Sequence, residues 1–232
     1  MADGKPADLG TRVVSAVVMV AVAGIALMLG GWVWTAFVVA VALAALWEWN
    51  GLAKAFAGSG PSEVAWLFFG VLYIGIAALG MIQLREFYLP IFFAAGFILP
   101  IIAVDVGAYF AGRAIGGPKI APKISPSKTW AGLLGGIFGA TLVYILISLN
   151  WADARFVTRI GSFGWHTVFG ALALGAVVAV IAQAGDFFES WMKRRAGVKD
   201  SGTLIPGHGG VLDRVDGMIA VFFVLTLTRN LL

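Results

Sequence analysis

Six of the chain's twelve acidic residues, Asp105, Asp186, Glu189, Asp200, Asp213 and Asp216, stand at the ends of apolar runs or in a polar stretch between two of them. A carboxylate near an apolar phase is costly unless it is paired or holds a cation. Asp186 and Glu189 are three apart, so on a helix they share a face, which Ser190 and Lys193 continue. Asp213 and Asp216 repeat that spacing at the start of the last apolar run. Two such helix ends facing each other would gather four carboxylates, an oxygen-only set that suits Mg²⁺, Mn²⁺ or Ca²⁺ rather than zinc. The same acids would serve equally as ion-pair partners of Lys193, Arg194, Lys199 and Arg214, and spacing does not choose between the two.

The basic residues add a second constellation. The stretch 110–131 holds Arg113, Lys119, Lys123 and Lys128 and no acid. Its centre, Pro122 to Trp130, is rich in serine, threonine and lysine and leads into an apolar run at Gly132. Lysines beside the free N–H groups of a helix start form a phosphate cradle, although a basic loop lying on anionic headgroups would read the same way. A second polar stretch contains Pro206-Gly207-His208-Gly209-Gly210. Three glycines around one histidine mark a backbone that needs positive φ or close approach to a ligand. His208 alone is weak evidence, and His166 is given no role. Clustered carboxylates for a divalent cation and clustered lysines for phosphate together suit phosphoryl or nucleotidyl transfer.

The elements that must position these residues are apolar. Of 232 residues, 60% are hydrophobic and 12% charged, against about 25% charged in a soluble domain. So little charge cannot cover a water-facing surface, and lipid is the solvent that remains. With no cysteine, disulfides, zinc–thiolate sites and cysteine nucleophiles are excluded. Seven runs are long enough to span a bilayer: 13–29, 32–49, 64–82, 88–109, 132–149, 167–185 and 211–231. With the N-terminus inside, twelve of the sixteen Lys and Arg fall on the cytoplasmic side. Arg85, Arg155, Arg159 and Arg229 fall outside, a positive-inside bias. Residues 1–11 read as a cytoplasmic tail, 12–104 as N-terminal spans, and 105–232 as a catalytic region with cytoplasmic loops 110–131 and 186–212. Loop 50–63 reads as a simple connection. Trp32, Trp34, Trp47, Trp49 and Trp165 read as interfacial anchors, and most of the 31 glycines as sites of close helix packing. The expected fold is an all-α, seven-span membrane protein.

The run Ser190 to Asp216, with Lys193-Arg194, Lys199-Asp200-Ser201, Pro206-Gly207-His208-Gly209-Gly210 and Asp213-Arg214-Val215-Asp216, closely resembles the C-terminal signature of phosphatidate cytidylyltransferases. So do Gln183-x-Gly185-Asp186-x-x-Glu189-Ser190, and Asp105 to Tyr109 followed by Lys123-Ile-Ser125-Pro126-Ser-Lys128-Thr129-Trp130. The specific resemblance covers roughly 105–217. The chain is short for that family, and Val106 stands where a small hydroxyl residue is common.

The resemblance implies an enzyme that makes CDP-diacylglycerol and pyrophosphate from CTP and phosphatidic acid. It implies Mg²⁺, with room for a second cation, and a homodimer in a bacterial inner membrane with its site facing the cytoplasm. Metal ligation would centre on Asp186 and Asp213, with Glu189 beside them. Lys128, Lys193, Lys199 and Arg214 would hold phosphates, with Asp200 and Asp216 in the same catalytic group and His208 as an orienting residue. Asp105, Ser125, Thr129, Arg194 and Ser201 would contact substrate, and Gly207, Gly209 and Gly210 would let the backbone approach the triphosphate. No nucleic-acid partner is expected. Two other readings stay open on the residues alone: a CTP-dependent lipid kinase or a cytidylyltransferase on another lipid phosphate, and a cation-coupled transporter. The transporter would place acids near the middle of several spans, whereas here the charges gather at one side.

Overall fold

The computed structural model describes residues 9–58, 60–150 and 164–229. The tail at 1–8, Arg155, Arg159 and the end of the last run lie outside them. The described residues form eight α-helices in chain order: α1 (Leu9–Leu29), α2 (Gly31–Ala57), α3 (Pro61–Phe87), α4 (Pro90–Phe93), α5 (Leu99–Ala114), α6 (Trp130–Asn150), α7 (Trp165–Arg195) and α8 (Leu212–Thr228). Among the described residues there is no strand, only two isolated bridges in loops, Lys119 with Thr129 and Ile205 with Gly209. Among the described residues, six segments are long and apolar enough to cross a membrane, the fourth being Pro90–Ala114. The seventh expected span, α8, has 17 described residues and opens with Asp213, Arg214 and Asp216. The chain is an all-α polytopic membrane protein.

Helix ends differ from the runs that predict them, for one physical reason. An apolar run stops at the first charge, whereas a helix continues as long as its backbone bonds do. So α2 and α3 have 27 residues each and leave only Gly58 to Gly60 between them, which corrects the 50–63 loop. Likewise α7 runs past Asp186 to Arg195, so Asp186, Glu189, Lys193 and Arg194 are helical, and the second loop shrinks to 196–211. The first loop shrinks to 115–129 between α5 and α6. The helix α1 starts at Leu9, inside the expected tail.

The fourth span is not continuous. A π-helical turn, Ala94–Ile98, separates α4 from α5. Pro100 follows it and has no N–H to give the carbonyl four residues back, that of Gly96. That carbonyl instead accepts the Tyr144 hydroxyl from α6 at 3.4 Å.

The chain divides into two compact units, Met1–Phe87 with Trp191–Leu232, and Tyr88–Ser190. In the first unit, α3 packs against both α2 and α8. Trp49 on α2 is 1% exposed and its indole N–H donates to the Trp66 carbonyl at 2.9 Å. Gly70 makes room for that ring, because a Cβ there would overlap the indole. Trp34 is also buried, and donates to the Met81 carbonyl at 3.3 Å. Trp34 and Trp49 are therefore core residues, while Trp32, Trp47 and Trp165 keep the exposure of interfacial anchors. The helix α1 buries only Ala26 and, beyond Ser15, carries only apolar residues and one glycine, as suits a helix facing lipid. Arg85 closes its C-terminal end by donating to the Leu27 carbonyl at 2.9 Å.

In the second unit α5 lies against α6 so closely that backbones touch. A Cβ on Gly107 would meet the Gly135 carbonyl, and one on Gly139 the Ala103 carbonyl. Small residues permit this approach between lipid-embedded helices. Ala95, Tyr144, Ile147 and Ala171 form a buried cluster in the same unit.

Candidate active site

The residues singled out by sequence fall into two groups, one in each unit. In the unit Tyr88–Ser190, the loop 115–129 closes on itself before α6. Its two limbs are tied by Ile120 N–H to the Lys128 carbonyl at 3.1 Å and Trp130 N–H to the Pro118 carbonyl at 3.1 Å. The Thr129 side-chain oxygen accepts the Gly132 N–H at 3.0 Å, the bond of a helix N-cap. Thr129 and Ser125 are both buried, and Thr129 organises the start of α6. The closed loop delivers the Lys128 ammonium directly onto the Asp186 carboxylate of α7, and the two form an ion pair. The other Asp186 oxygen accepts the Ser190 hydroxyl at 3.3 Å, one turn on. Glu189, three residues from Asp186, is 4% exposed, against 29% for the Asp186 side chain. Shared spacing therefore gives these two acids different environments. Asp105 is exposed on α5, and Lys119 and Lys123 are exposed on the loop.

In the unit Met1–Phe87 with Trp191–Leu232, Asp213 is the organising residue. Its Oδ1 accepts the Lys193 ammonium at 2.6 Å. Its Oδ2 accepts the backbone N–H of Ser201 at 3.0 Å and that of Gly210 at 2.9 Å. One carboxylate thus closes the loop from Ser201 to Gly210. Within it, Ile205 N–H donates to the Gly209 carbonyl at 2.9 Å and His208 N–H to the Ile205 carbonyl at 3.0 Å. Gly207 and Gly209 have φ of 77° and 86°, conformations that glycine adopts at no steric cost. Arg214 grips the same turn through two N–H bonds to the His208 carbonyl, at 3.3 and 2.7 Å. The Asp216 Oδ1 accepts the Gly217 N–H at 2.8 Å. Arg194, Lys199 and Asp200 are exposed.

Two residues of this arrangement escape sequence reading. Ser15 on α1 lies 2.9 Å from His208 Nδ1 and donates to the Pro206 carbonyl at 3.0 Å. Glu48 on α2 is 2% exposed and accepts three hydrogen bonds, from the Ser201 hydroxyl and from the Val211 and Leu212 N–H groups at the start of α8. Ser15 is a lone hydroxyl at the start of an apolar run and gives no signal. Glu48 does give one, since an acid between Trp47 and Trp49 in a spanning run requires partners.

As to metal, no group of three or more His, Asp or Glu converges among the described residues. What is present fits a hard cation that keeps most of its shell for water and phosphate. Asp186 and Asp213 each offer carboxylate oxygen, and each already holds a positive charge, the ammonium of Lys128 or Lys193.

Comparison with known proteins agrees with the signature residues. The model of the cytidylyltransferase family matches residues 60–232. A phosphatidate cytidylyltransferase of Rickettsia bellii is 32% identical over 233 residues, covering 99% of this chain and 94% of that protein. One from Brucella suis is 42% identical over 163 residues, 70% of this chain and 56% of that protein. A third, from Haemophilus influenzae, is 44% identical over 131 residues, 53% of this chain and 43% of that protein. The chain thus spans about half the length of the Brucella and Haemophilus relatives and nearly all of the Rickettsia one. With the signature lysines and aspartates paired and the matched region running from α3 through α8, the chain belongs to the cytidylyltransferase family.

Proposed function

We propose that the protein joins CTP to phosphatidic acid, forming CDP-diacylglycerol and pyrophosphate at the cytoplasmic face of a bacterial inner membrane. A phosphate monoester oxygen of the lipid forms a bond to the α-phosphorus of CTP. The bond from that phosphorus to the bridging oxygen of the β-phosphate breaks, and its electron pair leaves with pyrophosphate. The attacking group is already ionised near neutral pH, so the reaction needs no strong general base. That fits His208, whose ring faces Ser15 and whose backbone is tied into a turn.

The observation that carries this reading is the pairing of a signature lysine with a signature aspartate in each unit, Lys128 with Asp186 and Lys193 with Asp213. Such a pair is a matched receptor for a phosphate and its counter-cation: the ammonium takes phosphate oxygen and the carboxylate takes the cation. Asp186 and Asp213 are each candidate carboxylates for Mg²⁺, which when bound supplies charge neutralisation on phosphate oxygens. Lys128 and Lys193 hold phosphate as charge shifts to the leaving group. In this reading Gly207, Gly209 and Gly210 let the Ser201–Gly210 loop backbone approach the triphosphate. Lys199 and Arg194, exposed beside that loop, add positive charge. A homodimer and a second cation belong to the same reading. Radiolabel separates it from a lipid kinase. With detergent-solubilised protein and phosphatidic acid, label from the α-phosphate of CTP should enter the lipid and label from the γ-phosphate should not. Transfer of the γ-label would overturn the reading.

A further inference from the structure

Glu48 sits in α2, outside the matched family region, yet its side chain ends on the signature loop. Its Oε1 accepts the Val211 N–H at 3.1 Å, and its Oε2 accepts the Leu212 N–H at 2.8 Å and the Ser201 hydroxyl at 3.0 Å. Val211 and Leu212 open α8, whose first N–H groups have no partner within the helix. A carboxylate there satisfies them and complements the positive end of the helix dipole. The loop backbone is pressed onto this carboxylate. A Cβ at Gly202 would overlap Glu48, and one at Gly210 would overlap Glu48 and Ser201. Gly202 has no positive φ, so contact with Glu48 is its visible reason for being glycine.

Asp213 and Glu48 share the two ends of one loop. Ser201 gives its N–H to Asp213 and its hydroxyl to Glu48. Gly210 gives its N–H to Asp213, and the next two residues give theirs to Glu48. If Asp213 turns to a cation or substrate, its own hold on the loop weakens. Glu48 is buried and fully engaged with the loop, and keeps its hold. We infer that Glu48 is a positioning residue that keeps the Ser201–Gly210 loop closed and α8 capped while Asp213 changes partners. The inference rests on the proposed reaction only for its kinetic consequence; the loop closure stands apart from it.

The test uses full-length protein in detergent. In Glu48→Gln an amide NH₂ replaces one acceptor oxygen and opposes a donor. Hydrogen exchange of the segment 199–213 should then speed up by at least about tenfold at the Val211 and Leu212 amides, as expected when bonds to a charged acceptor are lost. KM for CTP should rise by roughly tenfold while kcat at saturation stays within about threefold, because bound substrate re-forms a loop that is no longer preorganised. Gly202→Ala, which pushes on the carboxylate without removing it, should give the same pattern. Combined with Glu48→Ala it should add little. Unchanged exchange in Glu48→Gln would overturn the inference, and so would a fall in kcat at unchanged KM. If Glu48→Gln does not fold, Gly202→Ala alone decides by the same two readouts. Absence of CTP turnover in the wild type would sink the proposed reaction and leave the exchange result to judge Glu48.

Discussion

At the scale of single residues, the structure separates side chains that resemble one another in sequence. Lys54 and Lys128 are both basic residues near a helix end. Lys54 stands in the last turn of α2, its side chain 58% exposed, and meets Glu63 at 3.6 Å, a pair worth about 0–1 kcal/mol. Lys128 is 22% exposed and pairs with Asp186. Lys128→Ala should lower kcat/KM for CTP by at least about tenfold, or about 1.4 kcal/mol, and Lys54→Ala should leave it unchanged. Equal effects in a steady-state assay would return Lys128 to the role of a headgroup contact. The two signature aspartates divide in the same way. Asp213 has a 7% exposed side chain and accepts from Lys193, Ser201 and Gly210, whereas Asp186 is 29% exposed. Both Asp→Asn changes should abolish most turnover. Only Asp213→Asn should also lower thermal stability, by about 2 kcal/mol, the worth of a bond to a charged group. A matching loss of melting temperature in Asp186→Asn would contradict this division.

At the scale of helices, the glycines that matter are those where backbones meet. Gly139→Ala would drive a methyl into the Ala103 carbonyl of α5, and should cost about 1–3 kcal/mol as overpacking. Gly75→Ala, in α3 with open space around it, should be neutral or slightly stabilising. Melting curves of the two variants in the same detergent check this, and a neutral Gly139→Ala would refute the contact. The order of the apolar segments was legible in sequence because runs of spanning length have few alternatives, and six of the seven expected runs are helices of spanning length and apolarity among the described residues. Their ends were not, since α7 carries its hydrogen bonding through Asp186 and Glu189 to Arg195. The break near Pro100 was written in the sequence, but a run of apolar residues hides it. The sequence singled out the signature acids and lysines by type and position. What the spacing could not give was partner choice, with Lys128 on Asp186, Lys193 on Asp213, and Arg214 on a backbone carbonyl. Glu48 was missed because its three donors lie more than 150 positions away along the chain.

At the scale of the whole molecule, the proposal needs both signature loops on one side of the membrane. The chain has no cysteine of its own, so single cysteines report topology cleanly. Lys119→Cys and Lys199→Cys should react with an impermeant thiol reagent only after the cytoplasmic face is opened. Leu89→Cys, exposed between α3 and α4, should react in intact cells. External labelling at 199 would contradict an inside N-terminus. The most direct test of the central claim is catalytic. Purified protein would be given phosphatidic acid with each of the four ribonucleoside triphosphates, with and without Mg²⁺. The account predicts CDP-diacylglycerol and pyrophosphate in equal amounts from CTP with Mg²⁺, and negligible product from ATP, GTP or UTP. Turnover that is indifferent to the base, or that releases a nucleoside diphosphate in place of pyrophosphate, would contradict it.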